Sequence, residues 1–262
     1  MNSGFQFELS AVEIFVLAAF LGFDTVFSTD EQQIVDCDGE LKRKVKSTVR
    51  TLERKKLIRY DLDGTLYITE KLKKCIECMC EPKTVGVFFS NLRTGRNKTT
   101  YVLKKYENIA LVEKTKSGRY RLGAGDNTAV SKLFPKSLMS VDFQDTTEKM
   151  LYEDAEHIKW QLHSFNKTQA TSLMKKYVSC EDSVPCICEI LSGESKFLNV
   201  HILTCSGKIY KMVFSCLVTI SHNRAVCVSV DENDVVNFYG ASPAHLCELV
   251  ELHLGINKGD VV

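Results

Sequence analysis

Two stretches of the chain carry the same order of apolar and polar positions. From Ala110 to Phe134 and again from Ala225 to Val250 the pattern reads strand, turn, strand, helix. In the first, Ile109 to Lys114 runs through a turn at Ser117-Gly118 into Arg119 to Leu122, then Gly123, then a helical stretch over Asp126 to Phe134. In the second, Ala225 to Val230 turns at Asn233-Asp234 into Val235 to Tyr239, then Gly240, then a helix from Pro243 to Leu254. A further apolar strand precedes each, Thr99 to Tyr106 and Met212 to Ile220. Three strands and a helix expose an apolar sheet face that such a unit does not bury by itself. Two copies side by side predict one antiparallel sheet carrying helices, an α+β arrangement suited to holding something.

The first eighty or so residues follow another pattern. Ile14 to Phe23 (IFVLAAFLGF) is continuously apolar, but it has no basic segment before it and is shorter than the roughly 20 residues a membrane span needs. Ser10-Ala11-Val12-Glu13 has the spacing of a capping box, so a buried helix starts there. A polar loop with Asp30, Glu31, Asp36 and Asp38 leads to a second helix, Glu40 to Lys56, striped by Leu41, Val45, Val49, Leu52 and Leu57. Ile58 to Leu62, an Asp63-Gly64 turn and Thr65 to Ile68 predict a hairpin, and Thr69 then caps a helix that Pro82 closes. Helix, helix, two-stranded wing, helix is the outline of a winged helix.

Charge gives that outline a functional reading. Net charge is only +1, so electrostatic binding has to be local. Nine cations lie between Lys42 and Arg59, opposed inside the stretch by Glu53 alone. Lys46, Arg50 and Arg54 are where a DNA reader would place its phosphate contacts, which makes a winged-helix transcriptional regulator with a carboxyl-terminal sensor or dimerisation domain the alternative reading. The helix offers no Asn or Gln to read bases, so it would bind without sequence preference. A solvated polar face that offsets the acidic loop explains the same residues.

Catalytic chemistry is thin. The six histidines form no H-x-x-x-H or H-E-x-x-H pair; neither G-x-S-x-G nor a Walker loop is present, and Gly123-Ala124-Gly125 lacks the third glycine and the lysine of a phosphate loop. Eleven cysteines, an odd number, sit mostly in apolar segments and suit a reducing compartment. Cys75, Cys78 and Cys80 invite a zinc reading, but in a helix Cys80 points away from the other two, so small buried hydrophobes are expected, with no metal and no cofactor.

Between the repeats, Asp145 to Phe165 and Lys167 to Val178 read as helices. Met150, Leu151, Ile158, Trp160 and Leu162 line the first, and Ala170, Leu173, Met174 and Tyr177 stripe the second. Trp160, the single tryptophan, belongs by this pattern in the core, with a partner anchor as the other reading. The loop Ser90 to Lys98 (SNLRTGRNK) is polar and carried between strands, where partner contacts often lie.

Taken in order, "VEIFVLAAFLG", "LERKKLIRYDLDGTLYITEKL", Pro82 with a following strand, and two halves ending at "LFPKSL" and "LCELVELHLG" resemble the EspG-like chaperones of type VII (ESX-type) secretion over most of the chain. The resemblance implies a pseudo-twofold α+β fold, with one half over residues 1–140, its winged-helix-like segment at 1–82, and the other over 141–262. It implies a cytoplasmic, non-enzymatic chaperone or adaptor that masks the apolar tip of a helical-hairpin secretion substrate until the export ATPase takes over. A richness in Lys, Cys and Phe departs from the actinobacterial pattern and favours a WXG- or LXG-like helical partner. By position, the partner contacts would be Asn91, Leu92, Arg93 and Arg96 in the loop, and Trp160, Phe165, Leu173 and Met174 on the later helices.

Overall fold

The computed structural model describes residues 4–29, 33–36, 41–91, 97–134, 138, 147–164, 166–206, 209–221, 224–240 and 242–256. Along the chain these form β1 (Phe7–Leu9), α1 (Ala11–Phe20), β2 (Thr25–Ser28), β3 (Gln33–Asp36), α2 (Leu41–Arg54), β4 (Ile58–Tyr60), β5 (Leu66–Ile68) and α3 (Glu70–Cys80). The meander β6 (Thr84–Ser90), β7 (Lys98–Lys105), β8 (Asn108–Lys114) and β9 (Tyr120–Gly125) follows. Next come β10 (Thr147–Leu151), α4 (Tyr152–His163), α5 (Lys167–Met174), a 3-10 turn (Glu181–Ser183) and α6 (Val184–Ser192). A second meander, β11 (Lys196–Ser206), β12 (Ile209–Ser221), β13 (Arg224–Val230) and β14 (Val235–Gly240), leads into α7 (Pro243–His253).

Ten strands make one sheet in the order β1-β9-β8-β7-β6-β11-β12-β13-β14-β10. The order reads alike from either end: each half supplies a four-stranded meander and a short edge strand that precedes a helix. The halves meet where β6 pairs antiparallel with β11, Val87 opposite His201, which gives the sheet an approximate twofold. The turns show the duplication most directly. Thr115 N donates to Arg119 O at 2.7 Å and Gly118 N to Thr115 O at 3.0 Å; in the other copy Asp231 N donates to Val235 O at 3.0 Å and Asp234 N to Asp231 O at 3.2 Å. Gly118 and Asp234 share a left-handed backbone, φ 74° and 56°. Superposing the two turns places Ala124, one residue beyond the expected Gly123, where Gly240 stands.

Both faces of the sheet are covered, as its near-continuous apolar strands require. On one face of the first half, α1 and α3 pack over Val85, Val87, Leu103, Val112 and Leu122. On the same side of the second half, α4, α5 and α6 close over Met150, Val236 and Phe238. The opposite face is one continuous core: Phe88, Val102, Val200, Ile202, Cys216 and Val218 lie under α7, residues 126–134 and Leu138. Fully burying a Leu, Ile or Phe contributes roughly 1.5–3 kcal/mol, so these three cores supply most of the drive to fold.

Local chemistry explains where the chain departs from its expected elements. Asp126 to Phe134 is a run of turns and not a continuous helix: Ala129 N donates to Asp126 O at 2.9 Å and Leu133 N to Val130 O at 2.8 Å, each closing a turn across three residues. The polar loop after α1 contains the β2–β3 hairpin, Phe27 opposite Ile34, with Phe27 fully buried. The stretch expected to be helical from Asp145 begins as β10, because Thr147 to Leu151 complete the edge beside β14, and the helix starts only at Tyr152. Thr69 stands at the N-cap of α3 but makes no side-chain capping bond. Neither α6, opened by Pro185 and closed by left-handed Gly193, nor β11 was anticipated.

The Ser10–Glu13 capping box forms as expected: Glu13 Oε2 accepts from Ser10 N at 2.7 Å and Ser10 Oγ accepts from Glu13 N at 3.3 Å. Glu13 is buried, and its other oxygen meets Lys55 Nζ at 2.5 Å, tying α1 to the end of α2. Burial pushes this carboxyl up, but the bonds from Lys55 and Ser10 together outweigh it and hold it below the usual glutamate value of 4.5. A depressed folded value contributes stability above the unfolded one and loses it as pH falls through the folded one. Glu13→Gln should therefore cost about 1–3 kcal/mol at pH 7 and remove part of the parent's loss of stability below about pH 4.5, read by urea denaturation across pH.

A β-carbon added at Gly123 would lie 2.0 Å from the carbonyl oxygen of Gly4, whose strand-like segment runs against β9. Backbone has to move to admit it. Gly123→Ala should lose about 1–3 kcal/mol of stability, whereas Gly193→Ala, with nothing within 4 Å and φ 74°, should lose only about 1 kcal/mol through its left-handed backbone, both measured by urea denaturation.

Candidate functional site

The expected contacts fall in two places on the sheet. Asn91 extends the central β6–β11 ladder: its amide donates to Phe197 O at 3.2 Å and its Oδ1 accepts from Phe197 N at 2.8 Å. Beneath it the rings of Phe89 and Phe197 meet at 5.3 Å. Asn91 is thus a fastener at the foot of the loop. Leu92, Arg93 and Arg96 lie outside the described residues, as does Phe165.

The helical candidates separate by burial. On α4 the inward positions are Ala155, Ile158 and Leu162, which leaves Trp160 63% exposed, its ring edge-on to His157 at 6.5 Å between centroids. The core role expected for Trp160 is therefore corrected: the helix turns it to solvent. Met174 is the reverse case, 0% exposed inside the α4–α6 core, so it supports the bundle and cannot touch a partner there. Leu173 is half-buried at the margin of that core. Asn166 caps α5, its Oδ1 accepting from Gln169 N at 3.3 Å. Glu148 binds the bundle to the sheet edge: its carboxylate accepts from Ser179 N at 2.9 Å, Ser179 Oγ at 3.0 Å and Cys180 N at 3.0 Å. A cleft of about 580 Å³ opens between the three helices beside Leu162, His163, Lys167 and Cys188.

The winged-helix outline is present as α2, the β4–β5 hairpin and α3. Lys46, Arg50 and Arg54 share the exposed face of α2, Arg54 Nη2 donating to Thr51 Oγ1 at 3.2 Å. The wing itself is wrong for phosphate. Its turn carries the exposed carboxylates Asp61 and Asp63, and the bonds from Thr65 hold Asp63 below the usual range, so it stays charged. Beside them stand Tyr60, Tyr67 and the fully exposed Leu62, with the Arg59 guanidinium 5.5 Å over the Tyr67 ring. This apolar wing was missed, because Leu62 reads from sequence as one more strand residue.

Cys75, Cys78 and Cys80 are all buried in α3. Burial pushes the thiols of Cys75 and Cys78 up to about 12, and the Cys78 thiol donates to Asn108 O at 3.3 Å. Among the described residues, no three His, Cys, Asp or Glu side chains gather as metal ligands, and no helix is long and apolar enough to cross a membrane.

Sequence comparison finds no matching protein-family model and no matching curated protein. Among solved structures the chain is similar to EspG5, the type VII secretion system chaperone of Mycobacterium tuberculosis, in a complex with the PE25–PPE41 dimer. The TM-score is 0.63 at 9% identity, over 95% of this chain and 94% of that one. At that identity the likeness is one of fold, and it runs through both halves.

Core and contact can be told apart by truncation. Trp160→Ala should leave stability within about 0.5 kcal/mol of the parent, while Met174→Ala should cost about 2–5 kcal/mol, both read from urea midpoints.

Proposed function

We propose that this chain is a non-catalytic chaperone or adaptor of a type VII secretion system that holds a small helical secreted protein. The observation that carries the reading is the end-to-end similarity of fold to EspG5, itself a type VII secretion chaperone in complex with the PE25–PPE41 dimer. In this reading residues 1–140 and 141–262 form two halves of one platform, and the partner is a WXG- or LXG-like protein whose hairpin tip is apolar. Covering that tip removes apolar area from water at roughly 25 cal/mol per Å² before association costs. The chain works in the cytoplasm and hands the partner to the export ATPase.

Trp160 is the natural anchor, because a large exposed ring on a rigid helix presents contact area at little entropic cost. The β6–β7 loop, with Leu92, Arg93 and Arg96, is the second contact, fixed at its foot by Asn91.

Affinity-tagged full-length chain, expressed at native level and purified from lysate, should carry a small helical protein in fixed ratio, identified by mass spectrometry. Trp160→Ala should weaken that association about tenfold or more, equivalent to 1.4 kcal/mol or above. Recovery of nucleic acid alone, or of no partner, would sink the proposal.

A further inference from the structure

The segment from Val45 to Ile68 exposes two patches of opposite charge. Along α2, Val45, Val49 and Leu52 turn inward, which leaves Lys46, Arg50 and Arg54 exposed on the outer face, about one turn apart. Arg54 donates to Thr51 Oγ1, and among the described residues none of the three cations meets a carboxylate. Glu53 is the single acid on this helix.

The β4–β5 hairpin that follows carries the reverse sign. Its turn presents Asp61, Leu62 and Asp63, all exposed, and no ion pair reaches either aspartate among the described residues. Asp61 Oδ1 accepts from Leu62 N at 2.8 Å and Asp63 Oδ1 from Thr65 N at 2.9 Å, which fixes both carboxylates at the tip. Beside them the Tyr60 ring is about half exposed, while the Arg59 guanidinium lies over Tyr67.

One occupant answers both patches. A polyanion, whether nucleic acid or an anionic lipid surface, suits α2 and is repelled by the aspartates of the tip; a basic partner suits the tip and is repelled by α2. A second copy of this chain brings a cationic helix to the acidic tip and an acidic tip to the cationic helix, and a twofold axis makes the two contacts alike. With a net charge of only +1, two copies approach with little long-range repulsion.

We propose that the chain forms a twofold dimer in which the β4–β5 tip of each copy docks on the outer face of the other's α2. Leu62 then packs along the aliphatic stems of Arg50 and Arg54, and the open ring of Tyr60 faces a guanidinium. A hairpin tip and one helix face make a small interface, roughly 1,200 Å² or less in total, so association is micromolar. The pairing does not rest on the secretion reading and is measured without any partner.

Sedimentation equilibrium of the purified full-length chain, from about 1 to 300 µM to bracket a micromolar constant, tests this. The parent should pass from the chain mass toward twice that value, and about 1 M sodium chloride should weaken the association tenfold or more. Arg50→Glu with Arg54→Glu, and Asp61→Lys with Asp63→Lys, should each weaken it tenfold or more, since each sets like charges against one another at both contacts. An equimolar mixture of these two variants should recover a dimer of parental strength, because opposite charges then meet at both contacts. Should the charge-reversed tip not fold, as read by urea denaturation, Leu62→Ser takes its place and should bring the same tenfold loss with both aspartates kept. A parent that stays monomeric across the range, folded variants that associate as the parent does, or a mixture of folded variants that remains monomeric overturns the proposal. Retention of a monomeric parent on heparin, abolished by the Arg50→Glu and Arg54→Glu pair, also overturns it and assigns the helix face to a polyanion.

Discussion

The antiparallel pairing of β6 with β11 is the constraint on which the rest of the molecule depends. It joins two meanders into one sheet, and it decides which side chains face each core. With Val87 opposite His201, Val85 and Val87 lie under α1 and α3 while Phe88, Val200 and Ile202 lie under α7. A slip of one residue would exchange every one of these faces, exposing apolar groups from two cores together. Because Leu198, Val200 and Ile202 share the far core with Phe88 and Val102, that core crosses the seam between halves. The halves are therefore held by side-chain packing as well as by backbone bonds.

On this common frame the two halves wear different covers. The first carries α1 and α3, with the β2–β3 hairpin, α2 and the β4–β5 wing inserted between those helices. The second carries α4, α5 and α6. In both, a short edge strand runs straight into its first helix: Leu9 opposite the first residue of β9, Leu151 opposite the first residue of β14. Symmetry thus governs the sheet, while difference is confined to what lies upon it. A sheet of this kind admits different covers without a change in its core.

What the amino-acid pattern disclosed, and what it hid, follows from whether a signal is local. The two β-turns were legible because Ser117-Gly118 and Asn233-Asp234 specify them within four residues. The capping box at Ser10 was legible for the same reason. Hidden elements depend on distant partners: β10 is a strand only because β14 presents an open edge, and β2 only because Phe27 packs with Tyr101 and Tyr210, 5.8 and 5.9 Å away. The helix expected over Asp126 to Phe134 is replaced by successive turns, closed by Ala129 N to Asp126 O and Leu133 N to Val130 O. At the candidate surface the difficulty was one of phase. Trp160 and Met174 both belong to apolar helical stripes, and periodicity alone does not say which member of a stripe the neighbouring helix leaves uncovered.

Three of the four buried carboxylates among the described residues join elements of the fold. Glu13 joins α1 to Lys55 at the end of α2 and, through Arg119 Nη2 at 3.4 Å, to the turn before β9; Glu113 joins β7 to β8; Glu148 joins β10 to the segment before α6. A buried charge is expensive to desolvate and persists where its hydrogen bonds are filled. Here each is filled by backbone amides, hydroxyls or cations from elements far apart in sequence, so each fixes the relation of one element to another.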